Sequence, residues 1–330
     1  MPSTNFHNSP DNAPVWFRPL VKPVIWGGDY IRYFKRLHHE TSAQIGESWE
    51  VSGIEGDESV VDGGADDGLT LSQLIDRHGA RLVGRRVLDR FGNRFPILVK
   101  YIDAARDLSV QVHPDDEMAA SLGYPNGKSE MWHVMRSGGG AKIYAGFRRV
   151  VSPDEYDSAV SDKSIMDLVR THRPRPGDTF HLPAGTIHAI GAGNFLLEVQ
   201  QASDITYRVY DYDRRDASGT PRELHTDLAR RAMKFTPANV GPHRLDRVPA
   251  PDTLLLDATW AHVTRHHITE PREVAFPDDS FTILCCIEGE IAVSYPGHSF
   301  TLESGNTCLI PAIVNAIHFS GRGAIVSITV

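Results

Sequence analysis

The chain is short of cysteine, with three in 330 residues. All three, Cys285, Cys286 and Cys308, lie late in the chain in apolar surroundings. Adjacent Cys285 and Cys286 would point to opposite faces of a strand, so the expectation is reduced core thiols rather than a disulfide framework, and a cytoplasmic location suits them. No apolar run reaches the ~18 residues of a membrane-spanning helix. The opening MPSTNFHNSPDNAP is polar with no signal-peptide core, and residues 1–14 read as a disordered tail. Positive charge is also scarce: 34 lysines and arginines face 42 acidic residues, for a net charge of −8. With no lysine-rich block or aromatic-basic stripe, nucleic-acid and membrane partners are not expected. A small anionic substrate would need a locally basic pocket.

What the chain does have points to β-structure. Hydrophobic residues make up 41%, and 28 glycines and 21 prolines punctuate many short apolar runs. The length suggests about two domains. GESWEVSG reads as a strand, with Ser48 and Glu50 on one face and Glu47, Trp49 and Val51 on the other. Phe95 to Ile102 is an apolar strand carrying Lys100, which either snorkels to an edge or faces a polar pocket. Strands at Met131–Met135 and Lys142–Phe147 flank Ser137-Gly-Gly-Gly140, a hairpin signal. Helical insertions are expected at about 69–84, with Thr70 and Gln73 as a capping box, at 152–172 behind Ser152-Pro-Asp-Glu155 with a break near Ser161, and at 223–233.

The segment from Leu108 to His188 carries the chemistry. Gln111 and His113 sit two apart in the β-branched run LSVQVH, so they project from the same strand face, where core residues would otherwise lie. Burying either one unpaired costs roughly 1–3 kcal/mol, and a divalent metal would supply the partner. Glu130 and His188 complete a shell of two imidazoles, a carboxylate and an amide, suited to zinc with room for a substrate oxygen. The string Gly177-x5-Pro183-x-Gly185-x2-His188 resembles the second metal motif of the cupin superfamily. Gln111-x-His113 followed by Glu130 resembles the first. Gly305-x5-Pro311 repeats the spacing of Gly177-x5-Pro183, but Ile313 falls in the place of Gly185 and Ala316 in the place of His188. The expected fold is therefore mainly β: two cupin jelly-roll sandwiches, a metal-binding lobe over 15–240 and a second lobe over 241–330 without metal ligands.

The strings GESWEVSG, LVKYIDAARDLSVQVHPDDEMA, GKSEMWHV, HLPAGTIHAIG and QQASDITYRVYDYDR resemble type I mannose-6-phosphate isomerases of the short bacterial form. The likeness is distinctive over about residues 16–235 and looser beyond. It implies one zinc per chain on Gln111, His113, Glu130 and His188, a catalytic arginine at Arg208, and further site residues at Lys128 and Asp204. It also implies interconversion of mannose 6-phosphate and fructose 6-phosphate. One departure stands out: Gly127 occupies a place where longer relatives carry a histidine.

Such a reaction removes a proton α to a carbonyl and passes through a cis-enediolate. A Lewis acid would acidify that proton, and Arg208 would sit where negative charge develops. Lys128, Asp204 or a metal-bound water could move the proton. Lys100, Lys128 and Lys142 are candidates for the phosphate. Two other readings stay open: a non-haem iron oxygenase, because two histidines and a carboxylate also make its facial triad, and a non-catalytic sugar-binding cupin. The partner expected is a phosphorylated sugar, with the chain a monomer or weak homo-oligomer.

Overall fold

The structure is a computed structural model and describes residues 12–37, 44–215, 219–246 and 249–330. Residues 1–11 of the expected tail lie outside the described residues. Asn12, within the expected tail, is tied down, donating to the Pro296 carbonyl at 3.1 Å with its Oδ1 2.8 Å from His298.

Among the described residues the strands form three antiparallel sheets. A six-stranded sheet runs in the order Thr179–Leu182, Glu130–Ser137, Asn194–Gln201, Ile97–Ala104, Ile45–Val51, Leu20–Gly28. A five-stranded sheet runs Tyr207–Tyr210, Val110–Val112, His188–Ile190, Ile143–Phe147, Val169–His172. These two face each other across a core that includes Trp26, Ile102, Trp132, Phe180, Ile143 and Ile190. Strands near in sequence often lie in different sheets, as a jelly roll requires. The expected hairpin about Ser137–Gly140 is one such case, because Glu130–Ser137 and Ile143–Phe147 pair in separate sheets and the glycines carry the crossover.

The nine-stranded third sheet folds the second lobe. Its own interior holds Leu284, Ile291, Val293, Phe319 and Ile325. The six-stranded sheet also buries its second face, where Ile97, Val99, Tyr101 and Leu197 meet Leu256, Phe281, Ile283 and Ile328 of the second lobe. Sheets covered on both sides need nearly continuous apolar strands, which is why Ile97–Ala104 and Asn194–Gln201 are buried at every position. The expected division at residue 240 is crossed at the other end of the chain. The strand Val15–Arg18 pairs with Thr307–Ile310, Val15 opposite Leu309, inside the second lobe's sheet.

The helices fill gaps around this frame. Thr70 caps Leu71–His78 with the reciprocal bond from Gln73, and Leu71, Leu74 and Ile75 enter the core between the lobes. The stretch expected as helix over 152–172 breaks after Ser161 as read, into Pro153–Ser161 and Ile165–Leu168, but its last part, Val169–His172, is an edge strand of the five-stranded sheet. Val169 and Thr171 are β-branched and favour the extended chain. The third insertion is the helix Thr226–Ala232. The strict alternation read in GESWEVSG also breaks. A register shift between Trp49 and Val51 turns Val51 into the interlobe core, on the side of Ile45.

Candidate active site

The two facing sheets bring together what the sequence separates. Gln111 lies on Val110–Val112 directly opposite His188 on one side and Arg208 on the other. His113 follows the same strand, and Glu130 opens a strand of the six-stranded sheet across the sandwich. Gly185, at φ +85°, shapes the turn that leads into His188, and its amide donates to the His113 carbonyl at 2.9 Å.

The two imidazoles are oriented by the backbone. His113 Nδ1 lies 2.7 Å from the Ile205 carbonyl and His188 Nδ1 lies 2.8 Å from the Thr186 carbonyl. A carbonyl only accepts, so each ring carries its proton on Nδ1 and turns a bare Nε2 inward. Both Nε2 atoms point at one carboxylate: His113 is 3.1 Å from Glu130 Oε1 and His188 is 3.5 Å from Glu130 Oε2. Gln111 closes the group at 3.4 Å from each Nε2. The candidate ligand atoms of His113, Glu130 and His188 lie within 4.8 Å of one another, and all three residues are buried.

This cluster fits a divalent cation. Lone pairs face a carboxylate, and Glu130 Oε2 is buried without a hydrogen-bond partner. Such a group carries a desolvation cost that a cation would remove. Burial, helped by the Lys128 charge and by His188, holds His113 well below the usual histidine range. Burial lowers His188 as well. Both rings are therefore neutral at pH 7, as ligation requires. Burial works against ionisation of Glu130, but Lys128, then His188 and Lys100, keep it below the usual glutamate range.

Above the cluster is a cavity of about 190 Å³, lined by Gln111, Glu130, Lys128, Lys100, Asp204 and Arg208, with Trp26 and Trp132 among its apolar walls. Lys128 is 3% exposed, with Nζ 3.6 Å from Glu130. Lys100 faces the pocket rather than an edge, 3.1 Å from Glu198 and 3.5 Å from Glu47. Those carboxylates, against the cost of burial, hold it above the usual lysine range. Arg208 bonds to neutral partners, the Ser109 hydroxyl at 3.3 Å and the Glu223 carbonyl at 2.8 Å. Among the described residues no carboxylate hydrogen-bonds to its side chain, which lines the cavity. Asp204 is exposed on the cavity wall. Lys142 is exposed and lies outside the cavity lining.

Gly127 has a steric reason. A Cβ there would meet the Asp115 carbonyl carbon at 2.5 Å and the Pro114 oxygen at 2.7 Å, and the Gly127 amide donates to Asp116 at 2.8 Å. A histidine at this place would need the neighbouring loop to move.

Glu198, Glu47, Ser109 and Arg222 also line the cavity and were not singled out from the sequence. Glu198 had a readable signal. It interrupts an apolar strand as Lys100 does, and the two are register partners. Burial, then the Glu130 charge, raises Glu198, opposite to the shift of Glu130 itself. Arg222 comes from a polar loop, where nothing in the pattern distinguishes it.

Comparison with known proteins agrees with this geometry. The profile for the phosphomannose isomerase type I catalytic domain matches residues 17–132, and that for the mannose-6-phosphate isomerase cupin domain matches residues 261–330. The mannose-6-phosphate isomerase ManA of Bacillus subtilis is 34% identical over 304 residues, covering 90% of this chain and 93% of that protein. The enzyme of Streptococcus mutans is 30% identical, covering 93% and 95%. A crystal structure of the Bacillus subtilis mannose 6-phosphate isomerase superposes with a TM-score of 0.84 at 30% identity, over 96% of this chain and 99% of that one. Likeness of this extent, over a sandwich whose facing sheets assemble the metal-type cluster, places the chain in the type I phosphomannose isomerase family.

Proposed function

We propose that this chain interconverts mannose 6-phosphate and fructose 6-phosphate through a cis-enediolate, with one divalent ion, zinc by its donor set, held by His113, Glu130, His188 and Gln111. The observation that carries the reading is the convergence of two backbone-oriented Nε2 atoms on a buried carboxylate with an unpartnered oxygen. Two imidazoles, a carboxylate and an amide form the N/O set that zinc accepts. When bound, the ion supplies Lewis acidity that polarises the substrate's carbonyl and lowers the barrier to removing the neighbouring proton.

The chain's own residues do the rest. Arg208 brings a permanent charge to the cavity and stabilises the developing enediolate oxygen, a role worth roughly 10²–10³ in rate for a comparable donor. Lys128 Nζ and the Asp204 carboxylate are the groups we assign to carrying the proton between C1 and C2. Lys100 has its charge matched by buried Glu198 and Glu47, so it serves to position those carboxylates. Trp26, Trp132 and Leu108 wall the cavity and exclude water from the reacting carbons.

The test is metal content by mass spectrometry of the purified protein, coupled to isomerisation of the two sugar phosphates before and after chelation. About one zinc per chain, with activity lost on chelation and restored by zinc, is the expected result. Isomerisation that persists without metal would overturn the metal role. Iron with no isomerisation would move the assignment to an oxygenase.

A further inference from the structure

The second lobe lacks the metal histidine but has a half-open pocket of its own, of about 360 Å³, lined by His266, Ser327, Thr264 and Arg86 with apolar Val274 and Phe276. That is within the range of small-molecule sites, ~300–1,000 Å³. Its polar wall is made by two paired strands, Ala261–Ile268 and Ala316–Thr329, which set Thr264 opposite Ser327.

His266 is 3% exposed, stacked on Phe319 and edge-on to Phe276. Its two nitrogens have different partners: Nδ1 lies 2.5 Å from Asp252 Oδ1 and, more distantly, 3.3 Å from Arg272 Nη2, and Nε2 lies 2.8 Å from Ser327 Oγ. Arg272 donates to Asp252 at 2.9 Å and keeps that carboxyl below its usual range. An ionised carboxylate only accepts, so the imidazole proton sits on Nδ1. Burial keeps the ring neutral. Nε2 is then an acceptor, and Ser327 Oγ–H points its proton at it, in preference to the Thr264 carbonyl at 3.5 Å. A hydroxyl hydrogen-bonded to a buried histidine that is oriented in turn by a carboxylate, here the exposed Asp252, is the arrangement of an activated serine, recognised by geometry rather than by fold.

We propose that Ser327, His266 and Asp252 form a nucleophilic site in the second lobe that hydrolyses small carboxylic esters with an apolar acyl group. Ser327 Oγ bonds to the ester carbonyl carbon while its proton passes to His266 Nε2. The bond to the leaving alcohol oxygen breaks, and that oxygen takes the proton. Water, deprotonated by the same Nε2, then releases the acid and restores the serine hydroxyl. The sum is ester plus water to acid plus alcohol, with no change of oxidation state. Arg86 also lines the cavity, with its Nε donating to Asp279 at 2.8 Å.

The test uses the full chain, a fluorophosphonate probe and p-nitrophenyl acetate. One covalent adduct per chain on Ser327 is expected. Ester turnover should fall at least ~10²-fold in Ser327→Ala and in Asp252→Asn. Sugar-phosphate isomerisation, which belongs to the other lobe, should remain unchanged in Ser327→Ala and reports that the variant is folded. An adduct elsewhere, no adduct, or hydrolysis untouched by Ser327→Ala would overturn the proposal and leave these residues as a structural polar cluster.

Discussion

The two lobes build the same turn and put different side chains on it. Gly177 and Gly305 both have φ +93°. Each is followed by a short strand, Thr179–Leu182 in one lobe and Thr307–Ile310 in the other. The bond from the Asp178 amide to the Arg175 carbonyl, 3.0 Å, reappears as Asn306 to Glu303 at 2.8 Å. The bond from Thr186 to Pro183, 3.1 Å, reappears as Val314 to Pro311 at 2.9 Å. Then the lobes part: His188 enters the first sandwich buried beside Gln111, while Ala316 pairs with Ala275. His318, the nearest histidine, is exposed. The frame is set by glycine, proline and backbone hydrogen bonds, and it tolerates loss of the metal-type side chain. Chemistry sits on the frame and can be removed without dismantling it.

That contrast breaks most severely at the cluster itself. Glu130→Ala or His188→Ala should lose bound metal and isomerase activity together, the latter by roughly 10³-fold or more given a Lewis acid worth several kcal/mol. Metal analysis and steady-state assay check it, and activity surviving without metal would contradict the division of roles. Phe281→Ala, in the core between the lobes, should destabilise by about 3–5 kcal/mol in urea unfolding and leave metal stoichiometry unchanged in the folded fraction. Metal loss in that variant would mean that the second lobe shapes the first lobe's site directly. Arg208→Ala should retain metal and lose roughly 10²–10³ in turnover. Loss of metal there would reject its role as a charge partner.

A smaller effect concerns His133, buried in the first lobe against Thr179 at 3.0 Å. Burial, with some help from Arg265, pushes its imidazole down to about 3. The unfolded chain takes up this proton near pH 6.5, so the stabilisation is complete above that pH and is lost as pH falls, by about 1.4 kcal/mol per unit down to about 3. His133→Gln should flatten the pH dependence of metal-free unfolding by that slope between pH ~6 and ~4. Equal slopes in both proteins would show that the ring is not held neutral.

Much of the first lobe was legible because its patterns are local. Gln111 and His113 share a strand face by alternation, Pro183 and Gly185 announce a turn, and Ser152 with Pro153 announces a helix whose cap bond is present at 3.1 Å. What escaped depends on pairing between distant strands. The glycines after Ser137 read as a hairpin because sequence gives no sign of which sheet the next strand joins. Val169–His172 read as helix because its strand character comes from the edge it completes. Arg222 and Ser109 reach the cavity through loop paths and register that no periodicity encodes, whereas Glu198, a lone charge in an apolar strand, could have been found as Lys100 was.

The pairing of Val15 with Leu309 also sets a schedule for synthesis. About 290 residues separate the partners, so at roughly 5–20 residues per second the first strand waits some 15–60 s on the ribosome before its mate exists. Over that interval its edge is open, and the apolar face that the second lobe will cover is bare. The first strand is therefore closed over only when Thr307–Ile310 returns to clasp it, which makes closure of this fold a late event in synthesis.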